Sequence, residues 1–192
     1  MKINNTVKHL TFSAVFAALI FVSITVTRIP NGLGGFIHFG DSLIYLSAAL
    51  LPFPYGLLVA AIGPGLFNLF SESPFWFPFT VIIKPITALC FSNRGTHILG
   101  NRPKYRNYIA PVIAGTLNTV LYFFANMALF SLGFLGVTSD RTSAWTAGIV
   151  SLPGLLMQAG GSIVFFYIIA FALDKMEFKR RVFTDSSRKL RG

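Results

Sequence analysis

Long apolar runs separated by short polar breaks organise this chain. The first extends from about His9 to Val26 with no charge inside it. A second covers Phe36 to Leu51, and Pro52-Phe53-Pro54 turns it into a third, Tyr55 to Phe70. The fourth covers about Trp76 to Phe91, and a polar, basic connection from Ser92 to Asn107 leads to the fifth, Tyr108 to Leu132. The loop Gly133 to Ala144 opens the sixth, Trp145 to Leu173. Such runs predict helices that cross a bilayer, where every backbone polar group must be satisfied within its own segment. Several are only ~16–17 residues long, against the ~20 usually needed to span. With Gly63-Pro64-Gly65 in the third and Pro85 in the fourth, the shortness predicts distorted helices packed around a cavity.

Composition turns this from a pattern into a class. Charged residues make up 11% of the chain and hydrophobic ones 54%, whereas soluble domains carry roughly 25% charged residues. The lone Cys90 excludes an internal disulfide and fits a reducing cytosol. The length suits one helical membrane domain, 1–178, followed by a basic tail, 179–192, and leaves no room for a soluble catalytic domain.

Net charge of +10 raises the question of nucleic acid, and its distribution answers it. Thirteen of the sixteen basic residues fall before the first run, in the Ser92–Asn107 connection or in the tail from Lys175 onward. Only Arg28 and Arg141 fall in the other loops. This is the positive-inside pattern, with anionic lipid head groups as the tail's partners rather than nucleic acid. It predicts an all-α, multi-pass protein of the cell membrane with six transmembrane helices. Both termini are then cytoplasmic, and loops 27–35, 71–75 and 133–144 face outside. The first run also has the basic start and apolar body of a signal peptide, but no small-x-small cleavage site follows it, so it is expected to remain as a span.

Against this background one residue pair stands out. Lys84-Pro85 lies inside an apolar run, where an ammonium costs on the order of 3 kcal/mol and a proline frees a carbonyl. Such a lysine needs a counter-charge, a cavity or a bound polar molecule, and Asp41 and Glu72 are the candidate counter-charges. At ~1.5 Å per helical residue, Lys84 lies roughly 12 Å below Trp76. Asn118, Tyr122 and Asn126 recur at i, i+4 and i+8 and share one helix face at similar depth. Gln158 belongs to a polar and small stripe with Ser151, Gly154 and Ser162, near the same level. Lys84, Asn118, Tyr122, Asn126 and Gln158 are therefore the candidate binding residues, with Asp41 as counter-ion or contact. Glu72 and Trp76 could cap the site from above. Glycine-rich Asn31–His38 could close over it, bringing His38 with it.

No second His or Cys stands at metal-ligand spacing, so no metal is expected, nor any cofactor. There is no nucleophile elbow, P-loop or His-Glu-x-x-His pair. The expectation is a non-enzyme; the rivals are a membrane enzyme using Lys84 and Asp41 as acid and base, and an assembly subunit without ligand.

Three features resemble one family: Ala14-x-x-x-Ala18 in the first helix, Gly35-Phe36-Ile37-His38-Phe39-Gly40-Asp41 opening the second, and the Pro/Gly-marked third. Together they resemble an S component of an energy-coupling factor (ECF) transporter, of the riboflavin-transporter-like group that includes those assigned to hydroxymethylpyrimidine or vitamin B6. The resemblance covers Leu10 to about Leu173. It implies a six-helix protein that binds one small vitamin or precursor from outside and docks on an ECF module of a transmembrane T subunit and two ATPases. It implies that Ala14 and Ala18 meet the T subunit, and that the site lies in the outer half among helices four to six. Hydroxymethylpyrimidine or a B6 vitamer is the first expected ligand, riboflavin the second.

The asymmetry of basic residues generates a direct prediction. A cysteine placed at Asn101 labels only from the cytoplasmic side and one at Ser139 only from outside. Reversed labelling would overturn the orientation.

Overall fold

A computed structural model describes residues 5–30, 36–99, 106–133 and 141–183, with backbone alone at 36, 106 and 141–143. Segments 1–4, 31–35, 100–105, 134–140 and 184–192 lie outside the described residues, and with them most of the glycine-rich loop, part of the basic connection and the end of the tail. Seven helices follow in order: α1 (Asn5–Thr27), α2 (Gly40–Leu50), α3 (Phe53–Phe70), α4 (Phe77–Ala88), α5 (Arg106–Ser131), α6 (Arg141–Lys175) and α7 (Phe178–Phe183). Between α1 and α2, β1 (Ile29–Pro30) and β2 (Phe36–Ile37) pair antiparallel, with Ile29 opposite Ile37.

The first six helices run back and forth between the same two ends. One end carries the β1–β2 hairpin and an ion pair between Arg28 and Glu72 at 3.8 Å. At the opposite end α7 packs on the start of α1, with the Phe183 ring 4.8 Å from Phe12 and 6.3 Å from His9. His9 also meets Tyr55 at the start of α3. The connection after α4 is stitched to the same end. The Asn107 side chain bonds both Ser92 backbone groups and the Ile98 carbonyl, and the Asp174 carboxylate accepts from the amides of Ile98 and Leu99.

Four helices (Asn5–Thr27, Phe53–Phe70, Asn107–Ser131 and Ala144–Lys175) are long and apolar enough to cross a membrane. α2 and α4 have 11 and 12 residues, about 17 Å of rise each. A 3₁₀ turn, Pro74–Trp76, leads into α4, and the amides of Leu89, Cys90 and Phe91 continue its hydrogen bonding beyond Ala88. The second apolar run therefore begins as strand, not helix. Phe36 and Ile37 are taken by the pairing with β1, and α2 starts only at Gly40. Lys179, where the sequence reading starts the tail, lies within α7, and its ammonium donates to the Ala49 carbonyl at 2.8 Å near the C-terminus of α2. The exposed carbonyls of a helix end attract a cation there.

Two glycines bring neighbouring helices close to α1. A Cβ on Gly40 would stand 2.5 Å from Ile24 Cγ1, so α2 can begin against α1 only without a side chain. A Cβ on Gly63 would meet the Ala17 carbonyl at 3.1 Å and Ile20 at 3.0 Å, which makes it the contact point of α1 and α3. Polarity is arranged inside out. Lys84, Asp41, Asn118, Asn126 and Gln158 are at most 5% exposed, while Val22, Ile82, Ile149, Met157 and Phe171 are each more than half exposed. Apolar side chains outside and polar ones inside suit a lipid solvent.

Burial lowers the pKa of Lys179 to about 8, against which Asp174 pulls upward. The folded protein therefore releases this proton before the unfolded chain does, and stability contributed by the group rises with pH from about 8 toward the ordinary lysine value near 10.4. In detergent, the wild-type melting temperature should gain on that of Lys179→Met across this window. Parallel curves would show that Lys179 does not titrate there.

Candidate functional site

The most costly groups in the bundle gather at one point. Lys84 of α4 donates to Asp41 Oδ1 of α2 at 2.7 Å and to Asn118 Oδ1 of α5 at 2.9 Å. Gln158 of α6 donates from Nε2 to Asp41 Oδ2 at 2.8 Å. Both carboxylate oxygens are thus occupied, and four helices contribute one residue each. The ammonium also stands 4.7 Å from the centre of the Tyr122 ring, whose electron-rich face favours a cation. Lys84 and Asp41 are each 2% exposed. A paired, hydrogen-bonded geometry is what allows two charges to remain in such a place.

On the hairpin side of this pair lies a cavity. Its wall is formed by Ile24 of α1, His38, Pro64, Phe67 and Asn68 of α3, Trp76, Thr80 and Lys84, Tyr122 and Asn126 of α5, and Leu155 and Gln158 of α6. The empty space, open mouth included, is about 540 Å³, an upper bound on what enters without rearrangement. Helical periodicity places the wall. Trp76, Thr80 and Lys84 recur every fourth residue along the α4 side, as Tyr122 and Asn126 do on α5. Pro64 contributes its ring and cannot donate to the carbonyl one turn earlier.

A second polar chain lines the wall. Asn68 Nδ2 donates to Thr80 Oγ1 at 2.6 Å, and that hydroxyl shares a hydrogen bond with the Tyr122 hydroxyl at 2.9 Å. This fixes the Tyr122 ring, which lies 5.7 Å from the Trp76 ring. Asn126 donates from Nδ2 to the Tyr122 carbonyl at 2.8 Å. Its Oδ1 and the Nδ1 of His38 are buried with no hydrogen-bond partner. Asn118 Nδ2, the Tyr45 hydroxyl and Ser162 Oγ are in the same state outside the wall, and the two on the wall are open to a polar molecule in the cavity.

Of the residues singled out from sequence, Lys84, Tyr122, Asn126, Gln158, His38 and Trp76 share this wall. Asp41 and Asn118 stand behind it, holding Lys84. Glu72 is not part of the wall; its side chain is 82% exposed and pairs with Arg28. Its place beside Trp76 in sequence is undone by the turn at Ser73–Pro74, which sends Trp76 inward and leaves Glu72 outside. Sequence reasoning missed Asn68 and Thr80. Thr80 lies four residues from both Trp76 and Lys84, a spacing that marks it once those two are chosen. Asn68 is the single amide of α3. Ala14 and Ala18 are exposed on α1, and neither belongs to the cavity wall. Among the described residues no group of His, Cys, Asp and Glu could hold a metal ion.

No curated protein matches the chain. The sequence model of one family, described as ECF-type riboflavin transporter, S component, matches residues 4–175, nearly the whole chain. S components are integral membrane subunits of transporters rather than enzymes, and they work with an ECF module of T and ATPase subunits. With its apolar exterior, its polar interior and this match, the chain belongs to the family of S components of ECF-type transporters.

Proposed function

We propose that this subunit captures a small, water-soluble aromatic vitamin or precursor in the cavity beside Lys84 and delivers it through the ECF module. The observation that carries this reading is the wall itself. Aromatic faces from Trp76, Tyr122 and Phe67 surround polar groups from four helices, and two buried polar atoms there lack partners. Aromatic faces supply stacking and the few polar atoms supply identity. Hydroxymethylpyrimidine or a B6 vitamer is the first ligand reading, since one compact ring fits between such faces. Riboflavin, named in the description of the matching family, is the second.

In this reading α1 to α6 all cross the bilayer, the short α2 and α4 with the segments that flank them, with the termini and the α7 end in the cytoplasm and the hairpin end outside. The gathering of α7, the start of α1 and the basic connection at one end supports it. The 1–178 body is then the membrane domain and the remainder a basic cytoplasmic extension. The outward face of α1 at Ala14 and Ala18 meets the T subunit, because small residues four apart allow close helix approach.

Two measurements test the proposal. Replacing both Ala14 and Ala18 with Trp should abolish recovery of the complex with the T and ATPase subunits while ligand binding by the isolated subunit persists. Equal loss of binding would assign that face to the site instead. Lys84→Met alone leaves the Asp41 carboxylate buried and unpaired, a loss on the order of 3–5 kcal/mol in stability. Adding Asp41→Asn should restore the melting temperature, yet affinity for the vitamin should stay about 1.5–3 kcal/mol weaker, the range of a charge-assisted hydrogen bond. Wild-type affinity in the stable double variant would show that Lys84 serves the fold alone.

A further inference from the structure

The charge and hydrogen-bond balance of the cavity says which form of a ligand it accepts, a question that rests on the capture reading above. Among the described residues Lys84 is the only Lys, Arg, Asp or Glu in the wall, and its charge is cancelled by Asp41 at 2.7 Å. At the hairpin end, Arg28 and Glu72 face one another and neither belongs to the wall. A ligand that arrives with a net charge therefore meets no uncompensated opposite charge, and burying it there is costly.

The orientation of the amides adds a sign to this. The Tyr122 main-chain oxygen can only accept, so the Asn126 group that bonds it must be the amine, and its carbonyl oxygen is the atom left without a partner. The Asp41 carboxylate can likewise only accept, so Gln158 spends its amine there and keeps its carbonyl. Lys84 accepts nothing, and with two of its three donors directed to Asp41 and Asn118 it keeps one for a ligand acceptor. The wall thus offers carbonyl acceptors that call for N–H or O–H donors on the ligand. His38 Nδ1 can donate or accept according to tautomer.

We infer that the site selects the neutral, unphosphorylated form of its ligand, with N–H or O–H groups toward Asn126 and Gln158, and that Asp41 sets this selectivity by cancelling Lys84. A phosphomonoester carries a charge of about −2 and adds only acceptors. It would confront the Asn126 and Gln158 carbonyls with like polarity and meet an ammonium whose charge Asp41 already neutralises. Asp41 is in this respect a specificity-determining residue although it does not line the cavity.

The test compares matched pairs by titration calorimetry on the purified subunit at pH 8, above the ordinary histidine range: riboflavin with its 5′-phosphate, pyridoxine with its 5′-phosphate, and hydroxymethylpyrimidine with its phosphate. The free alcohol of the bound pair should bind on the order of 10- to 100-fold more tightly, as expected when buried acceptors lose their donors. Asp41→Asn, which leaves Lys84 uncompensated, should narrow or reverse that ratio, a gain for the phosphate that misfolding cannot imitate. A phosphomonoester bound by wild type as tightly as its alcohol would overturn the inference, as would an unchanged ratio in Asp41→Asn. Native mass spectrometry of the protein as purified decides if the panel fails to bind. A retained phosphate-free compound supports the inference and a retained phosphomonoester overturns it. If nothing is retained and nothing binds, the capture reading fails, and this inference with it.

Discussion

One ion pair organises the interior. A lysine and an aspartate 2.7 Å apart, both deeply buried, tie α4 to α2, and the amides of Asn118 and Gln158 bring α5 and α6 to the same point. In lipid there is no hydrophobic drive to bring helices together, because the solvent is as apolar as the side chains. A buried charge pair supplies what apolar packing lacks, since any arrangement that separates the partners leaves an ion in hydrocarbon. The pair need not add net stability to have this effect. It penalises the alternatives by several kcal/mol, and so fixes which helices are neighbours and at what depth. α2 and α4, the shortest of the six, are the two that carry it.

The cavity follows from how that pair is satisfied. Asp41 is served from behind and from the side, so Lys84 turns one flank to the open space and lies against the Tyr122 ring. The Asn68–Thr80–Tyr122 chain holds that ring in place without drawing on the ion pair. Two networks that meet at Tyr122 therefore define the floor and the side of one chamber. The polar atoms left over, on Asn126 and His38, belong to its wall. Preorganisation of this kind lowers the ordering cost of binding.

Much of this was legible in the sequence, for reasons that differ between elements. α1, α3, α5 and α6 are continuous apolar segments, and composition alone finds them. Depth arithmetic brought Lys84, Tyr122, Asn126 and Gln158 to one level, because rise per residue is nearly constant in a helix. Azimuth was not legible. Whether Asp41 faces Lys84 depends on how α2 rotates against α4, and that is set by contacts such as Gly40 on Ile24 that no periodicity announces. The strand at Phe36–Ile37 was hidden for a related reason, since an apolar dipeptide before a helix reads as helix until a pairing partner claims it. α7 was hidden by charge. Lys179, Arg180 and Arg181 read as a solvated tail, yet Phe178 and Phe183 supply an apolar face and Lys179 finds a helix C-terminus to cap.

The two ends of the bundle are held by different kinds of contact, and the cavity sits nearer the hairpin end. At the α7 end, Asn107, Asp174 and Lys179 make six buried or half-buried hydrogen bonds to backbone groups of the connection after α4 and of Ala49 near the end of α2. At the hairpin end, the described contacts include a ladder of two residue pairs, an ion pair at 3.8 Å whose partners are 35% and 82% exposed, the Phe39 amide on the Thr27 hydroxyl at 3.3 Å, and Arg28 over the Phe67 ring. Exposed ion pairs contribute little, and a ladder of that length is marginal by itself. Local opening follows the lower-cost contacts. Ile24, His38, Phe67 and Trp76 of the wall all lie close in sequence to this end. The wall residues near the hairpin thus belong to the part of the fold that borders the chamber, and the ion pair with the stitched end to the part that holds the helices together.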